Sequence, residues 1–129
     1  MYTNLSLYFS SDCNMACTYC QINKHKPCMT ANNAIIREKM ASGEYAQNII
    51  NKFKPLKGVI DNISLWGMEP TINADLFCAA VFPLLDEYEH VSSIMFSTNS
   101  WLGYDRIYEF VAALDEYNRE HDRYIKLDL

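Results

Sequence analysis

Apolar residues recur along this chain with two periods, every second residue in short runs and every third or fourth in longer ones. The two kinds of run take turns. Residues 3–10 (TNLSLYFS) set Leu5, Leu7 and Phe9 between polar neighbours, a strand pattern. Residues 30–41 carry Ala34, Ile35, Ile36 and Met40 in a weak helical pattern, until Ser42-Gly43 interrupts it. Ser42 is placed to cap a second helix, on which Tyr45, Ile49, Ile50 and Phe53 recur at helical spacing. Lys57-Gly58 makes a break, and residues 59–66 (VIDNISLW) read as a second strand. Asn73 then reads as the N-cap of a helix over ADLFCAAVFPLLDEYEH, with Phe77, Val81, Leu84, Leu85 and Tyr88 as its apolar stripe. Pro83 inside that helix predicts a kink or a local break. Residues 91–97 (VSSIMFS) form a third strand. The next helix is the cleanest, with Ile107, Phe110, Val111, Leu114 and Tyr117 at i, i+3, i+4, i+7 and i+10. Residues 124–129 (YIKLDL) begin a fourth strand.

Strands alternating with helices call for an α/β fold with a parallel sheet built of right-handed crossovers. In such a sheet, site residues gather at the carboxyl ends of the strands. The first strand runs into a loop holding three cysteines, the second into WGMEPT and the third into STNS. All three unusual segments therefore fall on one edge of the predicted sheet.

Composition narrows the class. With 129 residues, half of them hydrophobic and only four of them glycine, the chain reads as one globular domain with a single core. A net charge of −5 argues against nucleic acid as the main partner. Lys24, His25 and Lys26 form one small basic patch, read as a solvated loop with some capacity to steer an anionic substrate. No apolar stretch approaches the length of a membrane-spanning helix. The opening MYTNLSLYF has neither a basic leader nor a small-residue cleavage site, so reduced cysteines and a cytoplasmic location are expected. No internal repeat, low-complexity tract or linker divides the chain.

The clearest chemistry lies in SDCNMACTYCQ, where Cys13, Cys17 and Cys20 stand as C-x3-C-x2-C. Three thiolates at this spacing can hold three irons of a 4Fe–4S cube and leave the fourth without a protein ligand. An open iron beside an electron reservoir can bind a substrate. Other readings compete. A structural zinc site usually shows a second cysteine pair or added histidines, although Cys28 or His25 lies near enough to supply a fourth ligand. A plant-type ferredoxin needs C-x4-C-x2-C with a distant fourth cysteine; Cys78 is distant enough, but the first spacing differs. Five cysteines without a secretory signal do not make a disulfide framework. Cys78, within DLFCAAVF, reads as a small buried hydrophobe, and Cys28 as a solvent-facing loop thiol.

The cysteine run resembles the signature of the radical S-adenosylmethionine (radical SAM) superfamily, in which an aromatic residue usually precedes the last cysteine, as Tyr19 does here. The resemblance implies a 4Fe–4S cluster whose open iron is chelated by the methionine amino and carboxylate groups of SAM. It implies one-electron cleavage of the sulfonium to a 5′-deoxyadenosyl radical that abstracts hydrogen, with an external electron donor. LWGMEPTIN resembles the superfamily's GGEP motif: Gly67, Glu69, Pro70 and Thr71 match, and Met68 replaces the second glycine. Gly67, Met68 and Glu69 would then hold the methionine end, Glu69 through a charge-assisted hydrogen bond to the ammonium group. FSTNS resembles the TNG segment, which carries Asn99 toward the nucleoside end of SAM, with Ser100 where glycine is usual. Tyr19 would lie against the adenine.

The superfamily's core barrel needs about six βα units, or roughly two hundred residues. Only three units and a strand start are expected here, so residues 1–129 read as the amino-terminal half of a radical SAM core, a partial (β/α) barrel cut at its fourth strand. The unpaired edge of that strand invites association. The WG-x-EPT form looks most like the branch that modifies peptides and proteins. Two other classes stay open: a non-catalytic remnant or partner module of a radical SAM protein, and a small zinc or iron–sulfur protein.

Overall fold

The computed structural model describes residues 3–10, 26–67, 76–96 and 104–128. Strand β1 (Asn4–Ser10) is followed by helices α1 (Lys26–Ser42) and α2 (Glu44–Lys52), then a single 3-10 turn at Lys54–Leu56. Strand β2 (Asn62–Gly67), helix α3 (Phe77–Glu87), strand β3 (Ser93–Phe96), helix α4 (Tyr104–His121) and strand β4 (Lys126–Asp128) complete the order. The strands form one sheet in sequential order β1-β2-β3-β4, and every neighbouring pair is parallel. Sequential order distinguishes this sheet from a doubly wound one, where the order reverses and helices cover both faces. Right-handed crossovers taken in sequence place successive helices on the same side. The result is the all-parallel α/β arrangement of a partial barrel.

The period-2 pattern decides which side that is. Leu5, Leu7, Ile63, Leu65, Ile94 and Phe96 project from one face and are buried. All four helices meet them there, through Met40 of α1, Ala46 of α2, Ala80, Val81, Leu84 and Leu85 of α3, and Phe110 and Leu114 of α4. Phe96 and Phe110 meet edge to face, with ring centroids 6.3 Å apart. The opposite face is polar, and strand register sorts it into layers. Asn4, Asn62, Ser93 and Lys126 are in register in one layer; Ser6, Ser64, Met95 and Asp128 follow in the next.

Several boundaries differ from the sequence reading, each for a local reason. Helix α1 starts at Lys26, earlier than expected, with Pro27 in its first turn, where a missing N–H costs nothing. Cys28 therefore belongs to a helix and not to a loop. Gly43, not Ser42, is the N-cap of α2; its φ of 85° lies in the left-handed region, and open space surrounds it, so conformation alone favours glycine. Ser42 still helps the turn by accepting the N–H of Glu44 at 3.4 Å and donating to the Lys39 carbonyl at 3.2 Å. Strand β2 starts at Asn62, later than expected, because Val59 closes a turn through its N–H to the Leu56 carbonyl. Helix α3 runs through Pro83 without a break. Ala80, Val81, Leu84 and Leu85 around it are fully buried, and their packing outweighs the lost hydrogen bond. Cys78 is half-buried, not fully buried, and burial pushes its thiol pKa up. The Asn73 cap lies outside the described residues.

Candidate functional site

Ser10 ends β1 and pairs with Gly67, the last residue of β2. Phe96 ends β3 and pairs with Leu65. Neighbouring strands lie about 4.8 Å apart, so the three carboxyl ends sit within roughly 10 Å of one another. From these ends the chain passes into the three unusual segments: Cys13 is the third residue after Ser10, Met68 and Glu69 come directly after Gly67, and Asn99 is the third after Phe96. Gly67 itself is thus placed at a strand end. Cys13, Cys17, Tyr19, Cys20, Met68, Glu69 and Asn99 lie outside the described residues. Among the described residues no three His, Cys, Asp or Glu side chains gather in a way that could hold a metal.

Beneath these ends, the polar face carries groups that the sequence reading missed, although alternation in each strand was their signal. Asn62 is 2 % exposed and ties three strands together. Its amide donates to Asn4 Oδ1 and, at 3.3 Å, to Ser64 Oγ, while its Oδ1 accepts from Ser93 Oγ. Ser64 Oγ in turn donates to Asn4 Oδ1 at 2.8 Å. This seam locks the register of β1, β2 and β3, and with it the relative height of the strand ends.

The opposite end of the sheet holds a different cluster. Tyr117 of α4 donates its hydroxyl to Asp86 at 2.6 Å and stacks on His121, with ring centroids 4.0 Å apart. His121 Nδ1 lies 2.9 Å from the Tyr117 carbonyl, so it carries the hydrogen of that bond, and Nε2 lies 3.7 Å from Asp86. Burial, then the hydrogen bond to the Asp86 carboxylate and its charge, push the Tyr117 pKa up to about 12, against a smaller lowering by Arg123. Arg123 spreads its guanidinium over the carbonyls of Leu85, Tyr88, Glu89 and Val91, which fastens the end of α3 to the lead-in of β4. A cavity of about 630 Å³, lined by residues such as Asp115, Asn118, Arg119 and Tyr124, lies at this end too. It is remote from the strand ends that lead to the cysteines.

No helix among the described residues is long and apolar enough to cross a membrane. No curated protein and no solved structure matches the chain. A family model described as the Radical SAM superfamily matches residues 7–129, which takes in all three strand-end segments. A sequentially ordered parallel sheet with its helices on one face is the architecture that this match requires, and the chain belongs to the radical SAM superfamily.

Proposed function

We propose that Cys13, Cys17 and Cys20 hold a 4Fe–4S cluster with one open iron, and that SAM binds there. The donor set fits: three thiolates closely spaced in sequence, at C-x3-C-x2-C and not the C-x4-C-x2-C of a plant-type ferredoxin. Gly67, Met68 and Glu69 hold the methionine end, Glu69 as the anion facing the ammonium group. Asn99 reaches the nucleoside end, and Tyr19 covers the adenine. When bound, the cluster and SAM supply a 5′-deoxyadenosyl radical for hydrogen-atom abstraction. The chain's own part is ligation, orientation and exclusion of water.

One observation carries this reading: the Ser10–Gly67 pair at the shared carboxyl ends of β1 and β2, which puts the origin of the cysteine loop beside the origin of the EPT segment. In further detail, residues 1–129 act as one partial core domain in the cytoplasm, reduced by an external donor. The substrate is a peptide or protein, from the form of the WG-x-EPT segment.

Anaerobic reconstitution tests the reading. The expected product binds about four irons and four acid-labile sulfides per chain. Replacing Cys13, Cys17 or Cys20 by alanine abolishes the cluster, whereas Cys28→Ala and Cys78→Ala keep it. Adding SAM to the reduced protein perturbs the cluster spectrum and releases 5′-deoxyadenosine. Zinc at one per chain without sulfide overturns the cluster assignment; an intact cluster with a spectrum blind to SAM makes the chain a non-catalytic module.

A further inference from the structure

Helices α3 and α4 bring a nitrogen and an oxygen donor together at the end of the sheet remote from the cysteine loop. Asp86 is the last residue but one of α3, and His121 is the last of α4. Tyr117 orients both. Its hydroxyl donates to Asp86 Oδ1 at 2.6 Å, and its ring stacks on the imidazole at 4.0 Å. Its carbonyl accepts the hydrogen of His121 Nδ1 at 2.9 Å. With the hydrogen on Nδ1, the lone pair of the ring lies on Nε2. That atom faces Asp86 Oδ1 at 3.7 Å. A hydrogen bond from nitrogen to oxygen spans about 2.7–3.2 Å, so none joins the two directly. A single zinc-like ion, with bonds of about 2.0–2.2 Å to each donor, bridges the gap.

We propose that His121 Nε2 and the Asp86 carboxylate bind one divalent transition-metal ion of the Zn²⁺ or Co²⁺ type, which clamps the end of α3 to the end of α4. An imidazole beside a carboxylate suits these ions, whereas Mg²⁺ and Ca²⁺ favour oxygen donors alone. The surroundings are those of a metal site. The ligating imidazole donates its other N–H to a carbonyl, and the ligating carboxylate is itself hydrogen-bonded. Charge favours a cation as well. Both helices turn the negative ends of their dipoles toward this point. Among the described residues no lysine or arginine pairs with Asp86. Arg123 lies 3.5 Å from the Tyr117 hydroxyl, but main-chain carbonyls hold its guanidinium. The His121 and Asp86 side chains are 43 % and 60 % exposed, which lets water fill the remaining coordination positions. With two protein ligands, the ion is an exchangeable one.

The inference shares no residue with the cofactor reading, and its test needs no cluster. Co²⁺ is titrated into the reduced 129-residue chain while the imidazole signals of His90 and His121 are followed by NMR. The paramagnetic ion is expected to broaden His121 in a saturable way and to leave His90 sharp. Asp86→Asn still accepts the Tyr117 hydrogen and is expected to weaken the saturable broadening about tenfold or more. Tyr117→Phe keeps the stacked ring and removes only the hydroxyl that orients Asp86. It is expected to weaken binding about 10–100-fold, as loss of a group supporting a ligand does. Amide spectra like the parent's show that each variant is folded. Equal broadening of His90 and His121 overturns the proposal, because cobalt then meets both rings by chance. So does binding by Asp86→Asn at parental affinity. A His121 signal untouched by cobalt makes Asp86 and His121 an ion pair only, and that too overturns it.

Discussion

Ser10 and Gly67 stand side by side at the ends of β1 and β2, yet Tyr8 pairs with Trp66, so β1 spends one more residue than β2 in reaching the same height. Phe9 is that extra residue. A bulge of this kind bends its strand and re-aims the chain beyond it, which here enters the cysteine loop. Deleting Phe9 restores regular pairing but changes the departure of the loop. The expected outcome is a sheet retained by far-UV circular dichroism with a steep fall in bound iron and sulfide. Wild-type iron content in the deletion variant would show that the bulge has no part in placing the cysteines.

Asn62 satisfies three polar partners from a position that is almost wholly buried. Asn62→Ala leaves Asn4 and Ser93 short of a partner and costs about 1–3 kcal/mol in urea unfolding. Asn62→Asp costs more, because a carboxylate cannot donate to Asn4 Oδ1 and brings a charge into a buried site.

Among the described residues, Arg123 is held by carbonyls at the end of α3 and beyond it, not by a carboxylate. Arg123→Ala is expected to destabilise the fold by about 1.5–3 kcal/mol. Arg123→Lys recovers only a small part of that, since an ammonium group cannot fork across several carbonyls. Cluster content per folded chain should not change in either variant, which separates this structural role from the site.

Tyr117 gives the fold an alkaline limit. Its pKa rises from the ordinary 10.0 to about 12 in the folded chain, through burial first and then Asp86. Between those values the folded chain keeps a proton that the unfolded chain has lost, so stability is fully present below pH 10 and falls as pH rises toward about 12. Urea midpoints measured across that window should decline in the parent and decline less in Tyr117→Phe.

Tyr88 caps the end of α3 with its N–H on the Leu84 carbonyl at 2.8 Å, and its ring is fully buried. Among the described residues its hydroxyl is buried without a hydrogen-bond partner. Removing an unsatisfied buried hydroxyl removes a desolvation cost. Tyr88→Phe should therefore be neutral or stabilising by up to about 1 kcal/mol, and a large loss in thermal unfolding would contradict this.

Much of the molecule could be read from residues in a row, because the rules involved are local. Alternation in 3–10 and the stripe from Ile107 to Tyr117 found β1 and α4, and C-x3-C-x2-C marked three candidate ligands by spacing alone. The reading faltered at details of neighbouring residues: buried packing carries α3 through Pro83, the φ of Gly43 takes the capping position from Ser42, and the early start of α1 absorbs Cys28. Local pattern thus determined the kinds of element, their order and the candidate ligands. Only the tertiary structure decided which strand ends are neighbours, that Asn62 joins three strands, and that His121 comes to face Asp86. Those facts arise from register and burial between residues tens of positions apart, which no window along the chain contains.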